Sequence, residues 1–175
     1  TANHHKWLCG PKTSGFLFVQ PELQTQVRPN VISNGANQDC SNRSRFLTEF
    51  DWIGTYDPTP ILTLPTAVAF LEKLYPAGLS QLYQQNHESV VRARQVICDA
   101  LQTDVPCNSE MLGSMASVHL NTNTSRSAGH TLATATLQRT LYQEHGLELP
   151  IFQLWNSGQW CLRISMHAYN QPCQF

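Results

Sequence analysis

Charge is what this sequence has least of: Asp, Glu, Lys and Arg together make up 13% of its 175 residues, and the formal net charge is −1. Without a basic excess there is no electrostatic footprint for nucleic acid, which is excluded as an expected partner. Long apolar runs are missing too. None approaches the roughly 20 residues of a bilayer-spanning helix, and the opening TANHHKWLCG lacks the apolar region of a secretory signal. The expectation is a soluble, cytoplasmic chain without a membrane partner. The six cysteines, at positions 9, 40, 98, 107, 161 and 173, show no CxxC spacing and are expected to be reduced thiols. In such a compartment the sequons at Asn42 and Asn123 carry no weight. What is present is a 41% hydrophobic content, enough to bury a core, in a length that fits one domain or a piece of a larger one.

Along the chain, Gly15-Phe16-Leu17-Phe18-Val19 is a nearly continuous apolar run and predicts a strand buried on both faces. Residues 28–50 are polar and rich in Asn and Ser, and read as one long functional loop. Helical spacing of Ala67, Phe70, Leu71 and Leu74 after Pro65 predicts a helix from Pro65 to Tyr75. A longer helix is expected from Leu79 to Leu101, with Leu79, Leu82, Tyr83, Val90, Ala93, Ile97, Ala100 and Leu101 on its apolar stripe. Met115–Leu120 reads as a strand, 121–130 as a polar loop, and Ala133–Glu144 as a helix capped by Gly146. Residues 151–155 and 159–165 flank Asn156-Ser157-Gly158 and predict an antiparallel hairpin. No internal repeat is evident. The sum is an α+β unit, a small antiparallel sheet covered by helices.

Three places could carry chemistry. Asn3-His4-His5-Lys6-Trp7 sets an amine beside two imidazoles; a desolvated lysine there would attack carbonyls, whereas a surface terminus would do nothing. The two histidines lack a third ligand at metal spacing, so no metal site is expected. Gly54-Thr55 offers a backbone amide and a hydroxyl, either as phosphate donors or as part of a simple turn. Strand alternation puts Trp160, Leu162 and Ile164 on one face and Cys161, Arg163 and Ser165 on the other. Arg163 therefore points away from the apolar core, either to grip a carboxylate in a bidentate fork or to sit in water.

Four segments in order, NHHKWLCGPKTSGFLFV, FDWIGTYDPTPILTLPTAVAFLE, GSMASVHL and LRISMHAYNQ, resemble class V aminotransferase-like, pyridoxal-phosphate-dependent enzymes, with the isopenicillin N epimerase-like branch the nearest in pattern. The resemblance covers nearly the whole chain. It implies the C-terminal part of a type I fold: residues 1–60 as the end of the large cofactor-binding domain, and 61–175 as linking helices with the small domain. It also implies pyridoxal 5′-phosphate as cofactor, an amino-acid substrate, and a homodimer in the full-length parent.

Carried over residue by residue, the resemblance makes Lys6 the Schiff-base lysine, which also moves the proton at the substrate α carbon. His5 and Asn3 would contact the cofactor phosphate. Gly54 and Thr55 match the pair that reaches the phosphate from the neighbouring subunit, and Arg163 would bind the substrate carboxylate. Epimerase, lyase and aminotransferase outcomes all stay open. Persulfide-forming cysteine desulfurases of the class carry a reactive cysteine shortly before this arginine; residues 144–158 contain none, and Cys161 lies in the strand itself. Tyr56 stands where many relatives in the branch have arginine after Gly-Thr, which bears on substrate preference. The ring-stacking residue and the acidic partner of the pyridine nitrogen have no counterpart here, so a fragment inactive by itself is expected. The alternatives are a cysteine desulfurase-type enzyme, whose reactive thiol would be Cys161 or another of the six, and, from another class, a non-catalytic α+β interaction module, in which Phe16, Phe18 and the helix stripes would be covered within the chain.

Overall fold

A computed structural model of the chain describes residues 1–121 and 130–174. The loop expected at 121–130 falls almost wholly outside the described residues. The chain divides into two compact units, Thr1–Leu71 and Glu72–Phe175, and each is α and β in character with antiparallel pairing only.

In the first unit, β1 (Ala2–Asn3) pairs antiparallel with β2 (Gly15–Phe16), Ala2 opposite Phe16 and Asn3 opposite Gly15. The expectation of a strand buried on both faces is corrected here. The ladder is two residues long, and Phe16, Leu17 and Phe18 are 51%, 43% and 71% exposed. An apolar run signals a capacity for burial, but within this unit only β1 pairs with it.

The single loop expected over 28–50 is also corrected, because its last part is helical. After a 3-10 turn at Asn34–Asn37 comes α1 (Arg45–Phe50), with the Ser44 hydroxyl accepting the Leu47 N–H at 3.2 Å as its N-cap. Phe46 and Phe50, four apart, bring their rings to 4.6 Å. Glu49 is buried and accepts from Arg28 Nε at 2.6 Å and Arg45 Nη1 at 3.2 Å. Gly35 packs directly on α1: a Cβ there would overlap the Thr48 carbonyl and lie 2.7 Å from Glu49 Cα, so no side chain fits.

A short α2 (Thr59–Leu62) begins where the Asp57 carboxylate accepts the Thr59 N–H at 2.9 Å. Hydrogen bonds from Thr59 hold this exposed carboxyl below its ordinary pKa. Then α3 (Leu64–Lys73) spans the boundary of the units and agrees with the helix read from the sequence, although only Leu71 is buried while Phe70 stays 59% exposed.

The second unit is built on α4 (Gly78–Leu101) and a three-stranded sheet. The strands are β3 (Met115–His119), β4 (Ile151–Gln153) and β5 (Trp160–Ser165), in the order β3-β5-β4 with every pairing antiparallel. Between β3 and β4 comes α5 (His130–His145), which packs on β4. The predicted hairpin forms, Gln153 opposite Trp160, and Gly158 supplies the positive φ of 70° that the turn needs. Gly146, at φ 66°, ends α5 as read.

The core is where α4 lies on the sheet: Val90 and Ala93 pack with Ala116, Ile164 and Met166. Burial of such aliphatic side chains contributes about 1.5–3 kcal/mol each. The stripe on α4 is shifted from the one expected. Asn86, Arg94 and Cys98 are buried beside Leu82, Val90 and Ala93, whereas Tyr83, Ala100 and Leu101 are exposed. Arg94 is tolerated in the core because its Nη1 donates to the Cys107 carbonyl at 2.8 Å.

Candidate active site

In the first unit the segment carrying Lys6 is a tight turn closed on β1. His4 N–H donates to the Ser14 carbonyl at 3.1 Å, Gly10 N–H to the His4 carbonyl at 3.0 Å, and Cys9 N–H to the Lys6 carbonyl at 3.1 Å. Cys9 and Thr13 hold left-handed φ values of 53° and 74°, a strain of about 1–3 kcal/mol each that the surrounding bonds must offset. Lys6, His5 and Asn3 are exposed, and Lys6 forms no ion pair among the described residues.

The imidazole that anchors the turn is His4. It is buried, its Nδ1 lies 3.0 Å from the Ser14 hydroxyl, and its ring stacks on Phe16 at 6.0 Å. Sequence reasoning grouped His4 with His5 and gave it no task.

Gly54 and Thr55 form a bend between α1 and α2. Gly54 has φ 114°, a conformation that strains any L side chain, and a Cβ built there would lie 3.8 Å from Ser33 Oγ. Thr55 is exposed.

In the second unit the expected alternation appears only at the end of β5, where Arg163 and Ser165 are exposed around buried Ile164; it fails at Cys161, which is buried although it shares the Arg163 face. Arg163 is exposed opposite Ser117, while Ile164 beside it is buried at 7% exposure. The Arg163 guanidinium has no acidic partner among the described residues. Cys161, two residues earlier on the same face, is fully buried, and burial pushes its thiol pKa up. A thiol that resists ionisation is a poor nucleophile. All six cysteines are free, and among the described residues no group of three or more His, Cys, Asp or Glu is placed to hold a metal. No helix among them is long and apolar enough to cross a membrane.

Chemically, the residues present fit a phosphorylated aldehyde cofactor and an amino acid. In the first unit an amine with no ion pair among the described residues suits a carbonyl, and a glycine-threonine bend suits a phosphate; in the second, an exposed guanidinium with no acidic partner among the described residues suits a carboxylate.

No protein-family model matches the chain. Among curated proteins it is 28% identical over 185 residues to a probable chloroplastic L-cysteine desulfhydrase of Arabidopsis thaliana, covering 98% of this chain and 36% of that protein. It is 27% identical over 122 residues to a putative L-cysteine desulfhydrase 1 of Oryza sativa subsp. japonica, covering 69% of this chain and 24% of that protein. With an L-cysteine desulfhydrase of Arabidopsis thaliana the identity is 25% over 154 residues, covering 87% of this chain and 32% of the relative. The chain thus spans between about a quarter and a little over a third of the length of these relatives.

Proposed function

We propose that this chain provides the lysine-bearing segment and the small domain of a type I, class V aminotransferase-like lyase. Its cofactor would be pyridoxal 5′-phosphate, and it would release sulfide from L-cysteine or a closely related thiol amino acid. The observation that carries the reading is the match along 98% of the chain to a protein named for cysteine desulfhydration, with Lys6, Gly54-Thr55 and Arg163 all inside the matched length. Of the outcomes that the family resemblance leaves open, these relatives favour a cysteine-acting lyase over the epimerase-like branch. Aminotransferase and isomerase chemistry fall behind with it.

When bound, the cofactor supplies the electron sink that acidifies the substrate Cα–H bond. Lys6 would hold the cofactor aldehyde and then take the Cα proton. Arg163 would fix the carboxylate in a two-bond fork, so that the Cα–H bond faces the amine. His5, Asn3, Gly54 and Thr55 would bind the phosphate, the last two from the neighbouring subunit of a homodimer. Loss of the Cα proton expels the β thiol as hydrosulfide. With water the net change is cysteine to hydrogen sulfide, pyruvate and ammonia.

The buried, hard-to-ionise Cys161 supports direct elimination over a persulfide route. The bare Phe16, Leu17 and Phe18 support a first unit that packs against further structure of the parent, and they count against a self-sufficient interaction module. The test is spectroscopic. The full-length protein is expected to show the visible absorption of lysine-bound cofactor, and Lys6→Ala to lose it; a band that survives the substitution removes Lys6 from this role.

A further inference from the structure

The bend at Gly54-Thr55 does not stand alone. The side of Gly54 on which an L residue would carry its Cβ is faced by the hydroxyl of Ser33, at 3.8 Å from that point. Twenty-one positions apart in sequence, the two residues adjoin in the fold. Ser33 is half-buried and precedes the 3-10 turn Asn34–Asn37 in the capping position, with extended backbone at φ −136°. A serine there ordinarily commits its hydroxyl to the first turn. It makes no cap bond, and among the described residues only its carbonyl is engaged, by the Ala36 N–H at 3.0 Å.

The position of that hydroxyl is fixed from behind. Gly35 is pressed against the backbone of Thr48 and Glu49 so closely that the segment has no room to slide, and Glu49 is tied to both Arg28 and Arg45. Ser33 also lines a cavity of about 440 Å³ with Arg28, Asn30 and Glu49. Two guanidiniums pair with the one buried carboxylate, so the surroundings do not repel an anion. A hydroxyl on a tightly packed segment, beside the bend and with no hydrogen bond among the described residues, is a pre-organised donor.

We infer that Ser33 is a third donor to the cofactor's phosphate monoester, acting with the Gly54 amide and the Thr55 hydroxyl. This rests on the reading of Gly54-Thr55 as the phosphate-binding pair. The test titrates the full-length apoprotein with pyridoxal 5′-phosphate and, separately, with pyridoxal, which lacks the phosphate, and follows absorbance and protein fluorescence. Ser33→Ala is expected to weaken pyridoxal 5′-phosphate binding roughly ten- to a hundredfold, the range for one hydrogen bond to a charged group. Pyridoxal binding should stay within about twofold, and Ser33→Thr, which keeps the hydroxyl, should retain most of the affinity. Unchanged phosphate-ester affinity in Ser33→Ala, or equal losses for both ligands, overturns the role of Ser33 and leaves the parent reading intact. A wild-type protein that binds neither ligand overturns both.

Discussion

Arg163 and Ile164 are adjacent, lie on opposite faces of the same strand and should fail in opposite ways. Ile164 is 7% exposed and packs against Val90, Ala93 and Met166, so Ile164→Ala removes buried methylenes from a close-packed site and should cost about 2–5 kcal/mol of stability. Arg163 is exposed and has no acidic partner among the described residues. Arg163→Gln should therefore change stability by no more than about 0.5 kcal/mol. Under the proposed carboxylate-binding role its effect falls on turnover. Losing a charge-assisted fork to the substrate carboxylate is worth about 1.5–3 kcal/mol, or roughly ten- to a hundredfold in kcat/KM. Arg163→Lys should fall between, since it keeps the charge and loses the planar fork. Urea denaturation followed by tryptophan fluorescence, with buried Trp160 in the same strand as a reporter, gives the first quantity; steady-state sulfide release gives the second. An Arg163→Gln protein that unfolds as readily as Ile164→Ala would refute the face assignment. One that turns over cysteine at the wild-type rate would refute the carboxylate role.

Gly35→Ala should destabilise the first unit by about 1–3 kcal/mol, because its Cβ overlaps the backbone of α1; hydrogen exchange should show lost protection over 34–50 while β3 and β5 stay protected. Alkylation mapped by mass spectrometry in the native protein should modify exposed Cys9 and Cys173 well before buried Cys98 and Cys161. Burial raises the pKa of both buried thiols above the ordinary value, so the unfolded thiols ionise first as pH rises. Their contribution is complete below about pH 8.5 and is lost as pH climbs through the raised folded values; denaturation midpoints should fall across that alkaline window, and less steeply in Cys161→Ala. If sulfide leaves by direct elimination, Cys161→Ala should keep turnover within about twofold after correction for folded fraction, whereas a persulfide route through this thiol would abolish it.

Where one segment contained all the information for its own conformation, the sequence was readable. The hairpin was legible because Gly158 sits at the one place needing positive φ, and α4 because its apolar positions recur over 24 residues. The exposure of Arg163 follows from its place beside inward Ile164, but the same alternation misplaces Cys161, which is buried. The misreadings arose where distant residues decide. The run at Gly15–Val19 carries no record of what covers it, and it stands exposed. Helical spacing extends the α4 stripe through Tyr83 and Leu101, whereas the helix meets the sheet at Val90 and Ala93 and buries Asn86 and Arg94, the latter with its Nη1 donating to the Cys107 carbonyl. In α1 the signal was present and short: Ser44 as cap, Phe46 with Phe50, and Arg45 with Glu49. Ser33 could not have been found, since only the fold sets it beside Gly54.

The proposed function requires that the full-length protein eliminate sulfide from cysteine through Lys6. Its most direct test is the product balance of the full-length protein given L-cysteine. Sulfide and pyruvate in equal amounts, both lost in Lys6→Ala, is the predicted result. Alanine in place of pyruvate, or sulfide release that survives without Lys6, would contradict it.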